Sequence, residues 1–181
     1  FGTGLINKYW AFDGRISSIT SDGYIDRASS DLQSYYISGG YYGDKTVVKA
    51  IHFAGKEETY QSWWGTPQSR ISGTLADMQA HAAANGYSDA QTANLLAAGR
   101  TYNHYLYENE VDHYGQDHYQ LHLSHQLSKQ LTASMAFHYT YGRGYFEQYR
   151  NGDDFADYGL SNLVVGGDTI TSTDVIRRRW L

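Results

Sequence analysis

LTASMAFHYTYG, residues 131–142, alternates along its whole length. Its odd positions, Leu131, Ala133, Met135, Phe137, Tyr139 and Tyr141, make an apolar face that ends in tyrosines. Its even positions, Thr132, Ser134, Ala136, His138, Thr140 and Gly142, make a small and polar one. Successive side chains of a strand point to opposite sides, so this pattern specifies a β-strand with one dry and one wet face. HYQLHLSHQL, residues 118–127, repeats the pattern with Tyr119, Leu121, Leu123 and Leu127 on the apolar side. His118, Gln120, His122, Ser124 and Gln126 lie on the other side, and His125 is the exception among the apolar positions. The short Ser128-Lys129 region between the two segments makes them a hairpin.

The same reading extends towards the amino terminus. DLQSYYISGGYYGDKTVVKAI, residues 31–51, predicts strands from Asp31 to Tyr42 and from Lys45 to Glu58 around a tight turn at Tyr42-Gly43-Asp44. A three-residue turn puts Val47, Ile51 and Phe53 on the side of Tyr35, Ile37 and Tyr41, with Lys49 snorkelling, and is preferred because it keeps His52 on the polar side. A two-residue Gly43-Asp44 turn would flip the second strand and put His52 on the apolar side. A further strand is expected from about Lys8 to Thr20, and DVIRRRWL at 174–181 reads as the start of another.

Six strands of roughly ten or more residues exceed the usual five or six of globular sheets. They match the roughly 9–11 residues that cross a bilayer at a tilt. The connections alternate in kind: short turns at one end, long segments at about 21–30, 59–112 and 147–173 at the other. Outer-membrane barrels have short periplasmic turns and long extracellular loops. Within the longest, TLADMQAHAAANGYSDAQTANLLAAG predicts two short helices around Asn85-Gly86.

Composition agrees with this class and removes others. Eighteen of the 181 residues are tyrosine, an amphipathic ring suited to boundaries between dry and wet surroundings. There is no cysteine, which excludes disulfides and thiolate metal sites, and the net charge of -5 gives no footprint for nucleic acid. No run approaches the roughly 18 apolar residues of a membrane-spanning helix, but alternating strands escape that criterion. The fold class expected is all-β: residues 1–181 as one antiparallel transmembrane β-barrel segment, about six strands of a larger barrel, because six strands enclose too narrow a lumen and leave two long edges.

RISSITSDGYIDRASSDLQSYYISGGYYGDKTVVKAI, then GKEETYQSWWG, RTYN, YGQDHYQLHLSHQLS and DVIRRRWL resemble, in order, the barrel region of TonB-dependent outer-membrane receptors. The resemblance implies a 22-stranded barrel filled by a plug domain, in the outer membrane of a Gram-negative bacterium. It implies energised import, through TonB, of a scarce large solute such as a ferric siderophore, haem or cobalamin, with no enzymatic step and no cofactor. The plug and the closing carboxy-terminal strands are not among these 181 residues, so the chain is expected to be an interior piece.

Two residue sets are candidates for function. Loop residues Tyr24, Arg27, Trp63, Trp64, Arg100, Tyr102, His104, Tyr105 and Tyr107 combine aromatic area for a planar or aryl-bearing solute with guanidinium forks for carboxylate or phosphate. They equally suit an interfacial girdle and pairing with lipopolysaccharide. His118, His122 and His138 are expected on the polar, lumen-facing side. His118 and His122, four residues apart on one strand, are about 13 Å apart and cannot share an ion. A register bringing His118 opposite His138 would place two imidazoles about 5 Å apart, still one ligand short of a metal site. Arg177-Arg178-Arg179 is expected to put two arginines on one face near the rim and one on the other. Two other classes compete: a passive outer-membrane channel, and a soluble β-rich carbohydrate-binding module in which Trp63 and Trp64 stack on sugars.

Overall fold

The computed structural model describes all residues, 1–181. Strands β1 (Trp10–Ser21), β2 (Ser30–Tyr42) and β3 (Thr46–Tyr60) form an antiparallel meander. Helices α1 (Gln68–Ser72), α2 (Leu75–Ala84) and α3 (Asp89–Ala97) follow. Strands β4 (Val111–Gln126) and β5 (Thr132–Asp154) continue the sheet. A short hairpin, β6 (Leu163–Val165) and β7 (Asp168–Ile170), leads to β8 (Ser172–Trp180), which pairs with β5. The large sheet is open, in the order β1-β2-β3-β4-β5-β8.

The registers sort the side chains onto two faces. Trp10, Phe12 and Ile16 of β1 share one face with Tyr35, Ile37 and Tyr41 of β2, which pair across from them or their neighbours. Tyr119, Leu121 and Leu123 of β4 lie opposite Tyr139, Phe137 and Met135 of β5 on that face. These groups are exposed: Ile16 by 87%, Tyr139 by 62% and Phe137 by 55%. Only 17 of 181 residues are buried, so the sheet encloses no core of its own. The only clustered core, Met78, Ala82, Leu95 and Tyr102, belongs to the helices and their return segment.

Two sequence expectations are corrected by the registers. Tyr42 and Val47 are the last pair of β2 and β3, so four residues, 43–46, lie between them, closed by Gly43 N–H donating to the Thr46 carbonyl at 2.8 Å. An even-numbered loop reverses the parity of the preferred three-residue turn, so Val47, Lys49, Ile51 and Phe53 join the polar face and His52 joins the apolar one. His52 is accommodated there by stacking on Tyr119 at 4.3 Å and by approaching Asp117 at 3.6 Å. The second correction is the last long connection. Strand β5 continues to Asp154 and β8 starts at Ser172, so the connection is shorter than 147–173 and carries its own 3₁₀ turn, Phe155–Tyr158, and hairpin.

The other two long connections fall where alternation stopped: β1 ends at Ser21 and β2 starts at Ser30, and β3 ends at Tyr60 and β4 starts at Val111. The two helices expected around Asn85-Gly86 are α2 and α3. Each starts with a reciprocal capping box, Thr74 with Asp77 and Ser88 with Gln91, which satisfies N–H groups that a first turn leaves free. Gly86 between them takes a φ of 64°, a conformation costly for other residues.

Candidate ligand-binding cleft and histidine ladder

Strand β5 outruns β4, and the exposed flank of its extension is covered by the segments that enter and leave the helical insert. Gln61, 1% exposed, donates to the Glu147 carbonyl at 3.0 Å and to the Val111 carbonyl at 3.2 Å, and accepts from Gln148 at 3.2 Å. Asn103, 2% exposed, donates to the carbonyls of Asp26 and Gln61 and accepts the Tyr105 N–H. Arg27 donates to the carbonyls of Asn103 and Tyr105 at 2.8–3.2 Å. The first two long loops are thereby locked together by side chains reaching backbone.

Between this lock and the β5–β8 extension lies a cleft of about 1180 Å³. Its aromatic wall is Trp63, Trp64, Tyr87, His104 and Tyr105. Trp63 meets Tyr105 and Phe146 edge-on at 6.4 and 5.8 Å, and Trp64 lies 5.7 Å from His104. Trp63 and Trp64 are 59% and 72% exposed, so their faces are open to a solute. The opposing wall is basic, with Arg150, Arg177 and Arg179. Arg150 is held by Asp153 at 3.2 Å and Arg177 by Gln148 at 2.7 Å, whereas Arg179 pairs with no carboxylate. Arg178, on the other face, binds Glu147 through two nitrogens at 2.5 and 2.9 Å.

The electrostatics of the cleft follow from burial. Glu110, 3% exposed, is pushed up to about 7 by desolvation, against the pull of the Tyr149 N–H and of Arg150. Burial holds the His104 imidazole below its ordinary range, and His81 adds to the effect. Tyr105 is raised first by burial and then by Glu110. The Tyr158 hydroxyl, and Arg150 after it, hold the Asp153 carboxyl below its ordinary range, so Asp153 offsets Arg150 and leaves Arg177 and Arg179 as the cations of the cleft without a carboxylate partner.

Five of the nine loop candidates, Trp63, Trp64, His104, Tyr105 and Tyr107, line this cleft. Tyr24 projects into solvent, 70% exposed, and Arg100 is exposed elsewhere. Arg27 spends its fork on carbonyls. Tyr102 is 1% exposed and belongs to the helical core, where burial pushes its phenol up and Tyr87 adds to the effect. Sequence reasoning left Glu110, Arg150 and Tyr87 out of the site. The arginine run was a usable signal: alternation along β8 sends Arg177 and Arg179 to the cleft and Arg178 away from it.

The histidines form a ladder on the polar face. His118 lies opposite Thr140, and His138 opposite Gln120, so the pair is diagonal by two residues and not directly opposed. The loop at 127–131 is two residues longer than the opposed pairing requires. Thr140 Oγ1 bridges them, 2.8 Å from His138 Nε2 and 3.0 Å from His118 Nδ1. His118 Nε2 meets Gln116 Oε1 at 3.1 Å, and His122 Nε2 meets Gln120 Oε1 at 3.2 Å. The amide oxygens require Nε2–H on both rings, so Thr140 donates to His118 and accepts from His138. No group of three His, Cys, Asp or Glu side chains converges anywhere in the chain.

Comparison with protein families, curated proteins and solved structures finds no match to this chain.

Proposed function

We propose that residues 1–181 are a section of the wall of a TonB-dependent receptor barrel in the outer membrane of a Gram-negative bacterium. The apolar face meets lipid, the polar face with its histidine ladder meets the lumen and plug, and the loop-bearing end is extracellular. The observation that carries this reading is the contrast between the faces. A sheet that exposes Ile16, Phe137 and Tyr139 by more than half, opposite a face that β4 and β5 line with Ser, Thr, Gln and His and on which β3 places Val47, Ile51 and Phe53, suits an apolar solvent on its first side. Trp10 and Tyr41 at the turn end of that face, and Tyr145 and Trp180 at its loop end, suit the two interfacial girdles.

The cleft supports the receptor part of the reading. Open indole faces opposite three arginines suit a bulky solute with aromatic or macrocyclic surface and anionic groups, as a ferric siderophore or haem has; cobalamin offers the macrocycle. Capture is by shape and charge, and import draws on TonB acting through the plug. No bond of the solute is made or broken.

None of these 181 residues is cysteine, so once any cysteine outside them is replaced, introduced labels report on this sheet alone. Single cysteines at 133–140, placed in the whole receptor, spin-labelled and reconstituted in liposomes, should show collisions with oxygen peaking at odd positions and with an aqueous nickel complex at even ones. In β3 the phase should reverse, with position 52 on the oxygen side. Uniform aqueous access along both strands would rule out the membrane reading.

A further inference from the structure

We infer that the apolar face carries a built-in site for lipopolysaccharide, centred on Gly115 between Lys56 and Arg143. The inference rests on the membrane reading above and adds a specific lipid to it. A groove of about 790 Å³ crosses β2 to β5 on that face. Ala54 and Gly115 leave its floor low, and Ile16, Tyr35 and Ile37 wall one side. Phe1 closes the end beyond them: its ring covers Gly14, and its amino group donates to the Gly14 carbonyl at 2.7 Å. The lining is suited to acyl chains.

The rim is not apolar. Lys56, Gly115 and Arg143 pair in one row across β3, β4 and β5, so the two cations flank a position without a side chain. Two strand spacings separate them, about 10 Å. Arg143 gives only Nη1 to Asp117, at 2.8 Å, and rests over the Tyr141 ring, which leaves its other nitrogens for an acceptor. Lys56 has no carboxylate partner. Cations either side of a gap at the edge of an apolar groove match a phosphate whose lipid chains enter the groove.

Position selects the lipid. All Lys and Arg on the strands of this face, Lys56, Arg143 and Arg178, lie in its loop-end half, and Arg178 is engaged by Glu147. Tyr41 to Gln33, from the turn end to the row of the cations, is eight residues or about 26 Å along the strand, which at the roughly 35–45° tilt of barrel strands is about 20 Å of height, so the long side chains of Lys56 and Arg143 reach the upper edge of the roughly 25 Å apolar band. The cations therefore stand at the headgroup level of the outer leaflet, where the phosphorylated glycolipid is lipopolysaccharide.

The test uses the whole receptor, extracted in detergent, with deep-rough lipopolysaccharide as the probe and native mass spectrometry as the readout. The wild type should keep the lipid through purification and rebind it when delipidated, and enzymatic dephosphorylation of the lipid should weaken rebinding about tenfold. Gly115→Leu, which meets only ordinary contacts at its Cβ, should block the groove; the pair Lys56→Gln and Arg143→Gln should lose retention about tenfold without filling it. Lys49→Gln on the polar face should leave retention unchanged. Equal retention by wild type and the Lys56/Arg143 pair, or indifference to dephosphorylation, overturns the site while leaving membrane insertion intact. Recovery of the receptor in the aqueous phase without detergent overturns both.

Discussion

Arg27 shows how a correct residue type can serve an unexpected partner. Its guanidinium fork suits an anion, but here it clasps the carbonyls of Asn103 and Tyr105, and its φ of 66° is the left-handed conformation that non-glycine residues avoid. The bonds between loops offset a backbone cost of about 1–3 kcal/mol. Glu110 shows the reverse case, a residue with no sequence signal that dominates local electrostatics. Its folded pKa of about 7 lies above the roughly 4.3 of an unfolded glutamate. The folded state therefore binds the extra proton, and the associated stability is present below about pH 4.3 and lost as pH rises through 7. Unfolding should show a melting temperature that falls between pH 5 and pH 8, reflecting a loss of stability on the order of 2–3 kcal/mol. Glu110→Gln, which cannot ionise, should flatten that fall; an unchanged slope would mean that another group is responsible.

At the scale of elements, legibility followed the strength of local pattern. Strands β4 and β5 were plain in the sequence because alternation over ten residues leaves one assignment of faces, and the even parity of their pairing follows from it. The two turns were not legible in length. Tyr42-Gly43-Asp44 and Ser128-Lys129 mark reversal, but loop parity depends on whether Thr46 closes on Gly43, and nothing local decides that. The same indeterminacy displaced His138 from His118 by two residues. Asn85-Gly86 was a reliable punctuation mark, since Gly86 needs positive φ, whereas the contact of Trp63 with Phe146, distant in sequence, could not be foreseen. The helical insert has its own small core, so its stability should be separable from the sheet's. Leu95→Ala, at a site with no exposure, should cost about 2–5 kcal/mol locally. Hydrogen exchange should then accelerate across α2 and α3 while the amides of β4 and β5 stay protected. Parallel loss of protection in the sheet would mean that insert and sheet unfold together.

Across the whole molecule, the sheet has no second layer: β1 and β8 leave edges unpaired, and the apolar face is bare. Two environments resolve this differently. If an aqueous partner layer covered the face, a charge introduced there would disrupt packing in water, and detergent would confer no advantage. If lipid covers it, the penalty depends on membrane depth and on which of two adjacent residues is changed. Phe137 and His138 are neighbours in β5 on opposite faces, near the middle of the apolar band. With lipid there, Phe137→Arg should destabilise the protein folded in phospholipid bilayers by about 2–4 kcal/mol, because a guanidinium placed at the midplane would have to be drawn towards the interface. His138→Arg faces the polar side and should cost much less. Urea titration of the protein in large vesicles measures both, and equal effects of the two substitutions would remove the reason for placing lipid against this face.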